Sequence, residues 1–597
     1  MKSTSSEFQS YTYIIESLRL LGWNTKNPNR NDDGMMYTQN EVLAVPKLKK
    51  LLGLDRPEFI LVADAHNYVA IEAKSSHDKL DKAEKEAKQY GDKLNADGVI
   101  CPIAIAVAGN EDDKYFIKSF FFANGEWLEV EINGRKTTGL LSHHDVQRLI
   151  RSQSNKIKDF EISDDLYYQK ATEINEKLHM GAINKNVRAR VVASILLALS
   201  TDQDINLNNE AYAMINEINA KVKEVLFKHE KSEFADSISI PKPPTPENHV
   251  KFRKALVDTI QELRMMNIKS AMNSGTDVLG RFYEQFLKYG NGAKEIGIVL
   301  TPRHITRLAS EMLNINRSDK VYDPACGTGG FLVAAYDQVK KSGASQGDID
   351  RFKREGIYGV EQEADVVALT LVNMIFRGDG KSNIIEGNCF NSHKFDGVQF
   401  SKVLMNPPFA LKKDDEKEYK FIDHALNHMQ DDGLLFVIIP SPVMFRDNHF
   451  RAWRQKMLRE NTLEAVIKLP EDLFYPVGVH TSAVIIRKGV QHDMQHKVLW
   501  GWLRDGFRKN KGVMKEYKNA LNNMELMKSL VIKRLNNIVD DTDSPREYIF
   551  APIADNDRLE LSPEQYLREL PIEDDMVLKE MQNVYGNYIS SKIGVLA

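Results

Sequence analysis

The segment KVYDPACGTGGFLVAAYDQV, residues 320–339, constrains the fold of this chain more than any other. A short strand-like run ends at Asp323, a turn of small residues follows, and an apolar helical pattern begins near Gly330. Glycine tolerates backbone conformations that other residues avoid and lets a ligand approach the main chain. A helix N-terminus adds free N–H donors. The segment therefore predicts the strand–turn–helix unit of a ligand-binding α/β fold.

Two carboxylates accompany this turn. Asp323 ends its strand, and Glu361 ends the next predicted strand, where a nucleotide-binding fold places a carboxylate for ribose hydroxyls. The glycines do not form the dinucleotide pattern GxGxxG, and an acidic first residue disfavours a pyrophosphate. A carboxylate suits a ligand with a cationic end, such as S-adenosylmethionine. The alternative is a plain strand-to-helix turn.

The rest of the chain indicates a multidomain α/β protein. Its 597 residues exceed what one core accommodates. From about 295 to 488, short apolar strands alternate with helical patterns, which favours βαβ units and a parallel sheet. The first residues are polar, the apolar runs are strand-length and the three cysteines are scattered, so we expect a cytoplasmic protein without a membrane span. The net charge of −4 neither requires nor excludes nucleic acid.

The stretch VLMNPPFALK, residues 403–412, places a stiff corner after a strand-like run. Pro407 and Pro408 fix two φ angles and have no N–H, so they end the strand. The side-chain carbonyl of Asn406 and the main-chain carbonyl of Pro407 accept hydrogen bonds, and Phe409 offers a flat apolar face. Two acceptors beside an aromatic ring suit a flat ring that carries an exocyclic amine. An ordinary strand-ending turn is the alternative.

Together, DPACGTGGFL and NPPF resemble the N6-adenine DNA methyltransferases, and within them the modification subunits of type I restriction systems. GIVLTPRHITRLAS and LEAVIKLPEDLFYPVGVHTSAVIIRK extend the resemblance over residues 270–488. It implies a doubly wound Rossmann-like core that methylates adenine N6 in double-stranded DNA. It also implies that S-adenosyl-L-methionine is held by Thr301, Asp323, Thr328, Gly329, Gly330, Glu361 and Asn388. At position 388 the family often has Asp, but an amide oxygen also accepts from an adenine amine.

The same resemblance implies that Asn406, Pro407, Pro408 and Phe409 are catalytic. Acceptors that pull the amine hydrogens out of the ring plane favour a tetrahedral nitrogen, which can attack a sulfonium methyl group. The target base must leave the duplex, and Phe409 would replace some of its lost stacking.

A second constellation lies in RPEFILVADAHNYVAIEAKSS, residues 56–76. Strand alternation puts Glu72 and Lys74 on one face, and a turn at His66-Asn67 would fold Glu58 back towards them. Two carboxylates can ligate Mg²⁺, and a lysine can orient water or stabilise a phosphorane. The alternative is a salt-bridged exposed strand.

This segment resembles the PD-(D/E)xK nucleases, in particular the N-terminal nuclease domain of type I restriction subunits. The resemblance implies that Glu58, Glu72 and Lys74 are catalytic and that Glu58 and Glu72 bind the metal. Glu58 stands where Asp is usual, which shifts the geometry. Gln89 and Tyr90 match accessory positions.

A dedicated target-recognition domain is missing from the predicted organisation. The chain after Lys488 is short and reads as mostly helical, so we expect a separate specificity subunit and a hetero-oligomer. LSPEQYLREL, residues 561–570, is a candidate contact for that subunit, and a surface helix is equally compatible. This combination resembles the type IIB restriction enzymes.

The sequence thus predicts a restriction–modification enzyme of four parts. These are a nuclease-like α/β domain (1–155), a helical domain (156–270), the methyltransferase (271–490) and a helical C-terminal region (491–597). The alternative is a methyltransferase alone, whose first domain binds DNA or a partner. Methylation of RNA or protein is a third, disfavoured interpretation.

Overall fold

The computed structural model describes residues 8–567 and Met581, with gaps inside that range. The gaps are 111–113, 159–163, 202, 243–247, 272–300 apart from Phe286, 379, 381, 410–415, 448, 472, 475–477, 504–506, 511–512, 517–519, 539–543, 545 and 556–557. The chain divides into two compact units, an N-terminal unit (1–298 and 364–381) and a C-terminal unit (299–363 and 382–597). Across the described residues, no helix combines the length and the apolar character needed to cross a membrane. The four predicted domain boundaries stay predictions.

A six-stranded sheet opens the N-terminal unit, and its strands lie side by side in chain order. They are β1 (Met36–Thr38), β2 (Phe59–Val62), β3 (Tyr68–Lys74), β4 (Ile103–Asn110), β5 (Lys114–Ala123) and β6 (Glu126–Glu129). β3 and β4 pair in parallel, and the other neighbours are antiparallel. Every residue of β4 is buried, as expected of a strand with both faces covered. A small sheet follows, with β7 (Glu131–Ile132), β8 (Arg135–Lys136) and β9 (Lys156–Ile157).

The helices of the N-terminal unit form two groups. Those around the six-stranded sheet are α1 (Phe8–Leu20), α2 (Gln39–Val42), α3 (Pro46–Leu52), α4 (Leu80–Leu94) and α5 (His143–Ser152). Those of the helical middle region are α6 (Asp164–Met180), α7 (Lys185–Ser200), α8 (Ala211–Lys228), α9 (Ala235–Ile238), α10 (His249–Met265) and α11 (Ile268–Ala271). α4 makes the crossover between the parallel strands β3 and β4 and packs against both.

A nine-stranded mixed sheet forms the centre of the C-terminal unit, in the order β12-β11-β10-β13-β14-β16-β15-β17-β20. Its strands are β10 (Val321–Asp323), β11 (Ile357–Glu361), β12 (Asn383–Glu386), β13 (Phe400–Met405), β14 (Met429–Pro440), β15 (Asn461–Lys468), β16 (Thr481–Lys488), β17 (Val498–Trp502) and β20 (Tyr548–Ala551). β10 to β14 pair in parallel, but β16 is antiparallel to both β14 and β15. The expectation of a purely parallel sheet is therefore wrong at β16. The described part of the link 469–480 has no helix to carry a parallel crossover.

The remaining helices alternate with these strands. They are α12 (Arg303–Met312), α13 (Gly330–Lys341), α14 (Gln346–Glu355), α15 (Ala364–Phe376), α16 (Glu418–Asn427), α17 (Pro442–Phe445), α18 (His449–Glu460) and α19 (Ala520–Leu535). α15 belongs to the N-terminal unit, where it packs against α7 and α9. The alternation of strands and helices confirms the predicted α/β architecture of this region.

The described part of the C-terminal region is only partly helical: α19 lies in the segment predicted as helical, but strands form on both sides of it. β17 and β20 join the large sheet, and β18 (Phe507–Asn510) pairs with β19 (Val513–Glu516) in an antiparallel hairpin. The apolar runs VLWGW and YIFA are short and lie among charged residues, so their strand character depends on partners distant in sequence.

Residues 561–567, the described part of LSPEQYLREL, pack on the core of the chain itself. Tyr566 stacks on Trp500 with ring centroids 3.7 Å apart and planes 5° from parallel. Leu561 is fully buried, and its N–H donates to the carbonyl of Met444 at 2.9 Å. These faces are therefore occupied within the chain, which argues against their use as a partner contact.

A buried ion cluster ties β15, β16 and α19 together. Glu464, 2% exposed, accepts from Arg487 Nε at 2.6 Å, from Arg534 Nε at 2.9 Å and lies 3.1 Å from His496 Nε2. Burial alone would raise the pKa of Glu464, but the hydrogen bonds from His496 and Arg487 and the charges of both arginines lower that pKa to about 2. The carboxylate stays ionised and balances the arginines.

We predict that Glu464→Gln lowers the free energy of unfolding by about 3 kcal/mol, because it leaves buried cations without their partner. The lowered pKa means that this stabilisation is present above the ordinary glutamate pKa and is lost as the pH falls towards 2. Urea unfolding followed by tryptophan fluorescence measures the change. Glu416→Gln, which breaks an exposed pair with Lys420, is the matched control and should leave the midpoint unchanged. An unchanged midpoint for Glu464→Gln would contradict the role of the cluster.

Candidate functional site

Strand β10 is the topological switch point of the large sheet, because the strands that follow it in the chain lie first on one side of it and then on the other. β10 pairs in parallel with β11 on one side and with β13 on the other. The chain therefore runs outward to β12 and then returns to β13 and β14. In open α/β sheets, ligands bind beyond the carboxyl ends of the strands at such a point. The topology brings Asp323, Glu361 and Asn406 to this edge, because they end or directly follow β10, β11 and β13.

The glycine-rich turn lies directly after β10. Gly327 and Gly329 have φ angles of 52° and 79°, in the left-handed region that glycine enters at little cost. Gly329 caps α13, which starts at Gly330, and Thr328 is half-buried between the two glycines. The predicted strand–turn–helix unit is confirmed, and it presents the first N–H groups of α13 at the switch point.

Asp323 is the most buried carboxyl group of this edge, with 1% of the residue exposed. Its Oδ1 accepts from the N–H of Ala325 at 3.1 Å. Burial raises the pKa of Asp323 well above its usual range, and the nearby charge of Glu361 adds to the shift. A cationic ligand would favour the ionised form, so the group is suited to bind an ammonium or sulfonium centre.

Glu361 holds the turn in place. Its Oε2 accepts from the N–H of Gly327 at 3.0 Å, and its Oε1 accepts from the N–H of Glu363 at 3.0 Å. Burial raises the pKa of Glu361, and these backbone hydrogen bonds oppose the shift. Each carboxylate oxygen can accept a second hydrogen bond, so the group can also bind a ligand hydroxyl.

Asn388 follows β12 and caps a short 3₁₀ helix, Cys389–Asn391. Its Oδ1 accepts from the N–H of Phe390 at 2.9 Å. The amide nitrogen of Asn388 is the group that this cap does not use.

Asn406 directly follows β13, and a hydrogen bond holds the nitrogen end of its side-chain amide. Its Nδ2 donates to Thr301 Oγ1 at 2.9 Å. Its Oδ1 is buried and has no hydrogen-bond partner among the described residues. Such an acceptor costs free energy unless a donor reaches it. Pro407 beside it is buried and Pro408 is exposed, and β13 ends at Met405, so the strand ends ahead of the two prolines as the sequence predicts.

Phe409 completes the corner. Its ring lies 5.8 Å from that of Phe474, centroid to centroid, with the planes 89° apart. Phe474 is 4% exposed and supports Phe409 from the chain that follows β15. The sequence analysis gave Phe474 no role, although an aromatic residue ahead of a proline, in FYP, is a usable signal.

The second candidate site lies in the N-terminal unit, on the hairpin of β2 and β3. Phe59 pairs with Ile71, so Glu58 stands next to Glu72, as the sequence predicts. Lys74 Nζ contacts Glu72 Oε1, which places both side chains on one face. Glu58, Glu72 and Lys74 are all buried, with 4%, 2% and 8% exposed.

The charges at this second site are strongly coupled. Burial raises the pKa of the Glu72 carboxyl to about 8, Lys74 opposes the shift and Glu58 adds to it. Burial alone would lower the pKa of Lys74, but hydrogen bonds to Glu72 and Glu86 raise it. Lys74 therefore stays a cation.

Glu86 is the residue that the sequence analysis missed. It extends from α4 and its Oε2 lies 2.7 Å from Lys74 Nζ. Gln89, predicted as an accessory residue, is exposed. Tyr90, one turn after Glu86, has a pKa raised by burial and by the charges of Glu72 and Glu86. The i,i+4 spacing of Glu86 and Tyr90 on a crossover helix is the signal that could have found it.

Glu58 and Glu72 fit a divalent cation in part. Glu72 Oε2 is buried and accepts no hydrogen bond from the described residues. Buried carboxylate oxygens are the ligands that Mg²⁺ prefers. Across the described residues, however, no group of three or more His, Cys, Asp or Glu side chains is arranged to hold a metal ion. Main-chain carbonyls and water would have to complete the coordination.

Comparison with known proteins defines the class of this chain. A family model described as N-6 DNA Methylase matches residues 274–575, which is half of the chain. The chain belongs to this family, and the predicted membership among the N6-adenine DNA methyltransferases is confirmed. The match contains the glycine-rich turn and the Asn-Pro-Pro-Phe corner, and it leaves residues 1–273 outside.

The chain is 41% identical over 255 residues to the type II restriction enzyme and methyltransferase RM.BcgI of Heyndrickxia coagulans, covering 41% of this chain and 39% of that protein. It is 28% identical over 340 residues to the methylase subunit of the type I restriction enzyme MjaIX of Methanocaldococcus jannaschii, covering 51% and 58%. With the EcoEI methylase subunit of Escherichia coli it shares 27% identity over 259 residues, covering 40% and 52%. The chain thus spans 39% to 58% of these curated relatives.

Proposed function

We propose that this chain transfers a methyl group from S-adenosyl-L-methionine to the N6 amine of adenine in DNA. The observation that carries the proposal is the buried Oδ1 of Asn406, an acceptor without a partner among the described residues, beside the ring of Phe409. An adenine offers both a donor for that oxygen and a flat face for that ring. Family membership supports the same reaction.

The residues at the switch point fit the proposed cofactor. When bound, S-adenosyl-L-methionine supplies an electrophilic methyl group on a sulfonium sulfur. Asp323 would pair with its cationic end, and Glu361 and Asn388 would hold the adenosine part. Main-chain groups of Thr328, Gly329 and Gly330 would line the pocket at the start of α13, and Thr301 would lie at its side.

The Asn-Pro-Pro-Phe corner would supply the catalytic groups. Asn406 Oδ1 and the Pro407 carbonyl would each accept one hydrogen of the adenine amine. This draws the hydrogens from the ring plane and concentrates the lone pair on nitrogen, which stabilises the transition state more than the ground state. The nitrogen would gain the methyl group as the carbon–sulfur bond breaks, which leaves S-adenosyl-L-homocysteine as a neutral thioether, and the amine would release one proton. The stiffness of Pro407-Pro408 keeps the two acceptors in place, and Phe409 would stack on the flipped base.

We predict that Asn406→Ala nearly abolishes methyl transfer while S-adenosylmethionine still binds, because the variant loses the acceptor for the target amine and the hydrogen bond to Thr301 but keeps Asp323 and Glu361. Loss of one such preorganised group lowers the rate by about 10²–10³-fold. N6-methyladenine in DNA, measured by mass spectrometry in a host without its own adenine methyltransferase, gives the readout. Calorimetry gives the cofactor affinity. Transfer at the wild-type rate would refute the assignment.

We predict that Asp323→Asn weakens S-adenosylmethionine binding about tenfold to a hundredfold, the range for a charge-assisted pair. Because the pKa of Asp323 is raised, its ionised fraction grows with pH, so wild-type affinity should rise with pH. The Asp323→Asn variant should show a flatter profile. Calorimetry at several pH values measures both, and equal pH profiles would contradict the pairing.

We further propose that the N-terminal unit is a Mg²⁺-dependent nuclease that cleaves unmethylated DNA. The buried pair of Glu58 and Glu72 beside the cationic Lys74 supports this proposal. Glu58 and Glu72 would hold the metal, and Lys74 would stabilise charge that develops on the phosphate. The similarity to RM.BcgI, a type II restriction enzyme and methyltransferase, favours the combination in one chain.

We predict that Mg²⁺-dependent cleavage disappears in Glu72→Gln and persists in Glu84→Gln. Glu84 lies on α4 and pairs with Lys88 and Lys118, so it is the matched control. The raised pKa of Glu72, about 8, sets the pH dependence: the metal needs the ionised form, so cleavage should increase as the pH rises towards 8. Agarose gels of unmethylated DNA measure the cutting. Cleavage by Glu72→Gln at the wild-type rate would place the nuclease elsewhere.

We propose that a separate specificity subunit selects the target and that the functional assembly is a hetero-oligomer. The type I methylase subunits among the relatives support this organisation. The alternative function is methylation alone, with the N-terminal unit as a DNA- or partner-binding module. Adenine methylation without Mg²⁺-dependent cutting by the copurified assembly would favour that alternative.

A further inference from the structure

Thr301 and Asn406 contact each other across a sequence separation of 105 residues. Thr301 lies just before Pro302, which caps α12, whereas Asn406 follows β13. Both flanking prolines restrict the main chain, so the two side chains meet between stiff segments. Sequence reasoning assigns Thr301 to the cofactor pocket alone. The hydrogen bond from Asn406 indicates a second role for Thr301.

The amide of Asn406 has two chemically different ends. Nδ2 is a donor and Oδ1 an acceptor, so only one orientation offers an acceptor to an amine. In the structure Nδ2 is bound to Thr301 Oγ1 at 2.9 Å, and Oδ1 is the buried end without a partner among the described residues. A valine in place of Thr301 would leave Nδ2 without this acceptor in that orientation. An unsatisfied donor on a half-buried side chain costs free energy, so the amide would no longer be held in that orientation.

We propose that Thr301 is a positioning residue for the methyl transfer, which holds the amide of Asn406 with its oxygen directed to the target amine. This inference rests on the proposed methyltransferase function. Thr301 need not touch the target base, since it acts through Asn406. Its hydroxyl, rather than its methyl group, carries the role.

The test compares Thr301→Val and Thr301→Ser in the full chain, copurified with the proposed specificity subunit. Incorporation of labelled methyl groups into DNA at saturating S-adenosylmethionine gives the transfer rate, and calorimetry gives the cofactor affinity. We expect Thr301→Val to lower the rate about tenfold, the effect of one lost hydrogen bond, without a matching loss of cofactor affinity. Thr301→Ser, which keeps the hydroxyl, should restore most of the rate.

Thr462→Val is the matched control, because it also removes a threonine hydroxyl that makes a side-chain hydrogen bond, in this case a donation to the carbonyl of Val490 at 2.9 Å. It should leave the transfer rate unchanged. If Thr301→Val does not fold, as judged by thermal unfolding, Thr301→Ala replaces it in the comparison with Thr301→Ser.

Two results would overturn the inference alone: wild-type transfer by Thr301→Val, or a loss explained entirely by weaker cofactor binding. A Thr301→Ser protein as slow as Thr301→Val would also overturn it. Absence of transfer by the wild-type assembly would instead overturn the proposed function, and this inference with it.

Discussion

The pairing of β10 with both β11 and β13 is the constraint on which the candidate methyltransferase site depends. It makes the chain cross to the other half of the sheet, so the carboxyl ends of strands distant in sequence meet at one edge. Asp323 and Asn406 lie at the same edge of the sheet only because of that topology. The glycine-rich turn and the Pro-Pro corner then fill it with main-chain donors and acceptors. Neither segment could form the site alone.

Burial gives three carboxyl groups of this chain different properties. Burial raises the pKa of Asp323 and of Glu72, because neither carboxyl group has enough positive charge around it to offset the burial. Glu464 is equally buried but has two arginines and a histidine around it, and its pKa is lowered. The charge of Glu464 is thus balanced within the fold, whereas the ionised forms of Asp323 and Glu72 are disfavoured there, which makes these two the candidates for binding a cationic ligand. This contrast separates a structural carboxylate from candidate binding groups.

Local patterns in the sequence predicted the local elements well. The Gly-rich turn, the Pro-Pro corner and the hairpin that joins Glu58 to Glu72 form where short-range rules place them, because turn chemistry and strand alternation act within a few residues. The antiparallel pairing of β16 and the outer strands β17 and β20 were missed, because their pairing depends on distant partners. Glu86 and Phe474 were missed for the same reason. Each acquires its contact from another element, so the local signals near it, the i,i+4 spacing with Tyr90 and the motif FYP, do not identify its partner.

The choice of asparagine at position 406 explains why such a distant contact matters. A carboxylate at that position would present an oxygen in either orientation, so its catalytic acceptor would need no external support. An amide presents an oxygen in only one of two orientations of nearly equal shape. Its selectivity must therefore come from a neighbour, and Thr301 Oγ1 is the group that the structure places at the nitrogen end. The stiff corner fixes where the amide lies, and the threonine fixes which end of it is left for a ligand.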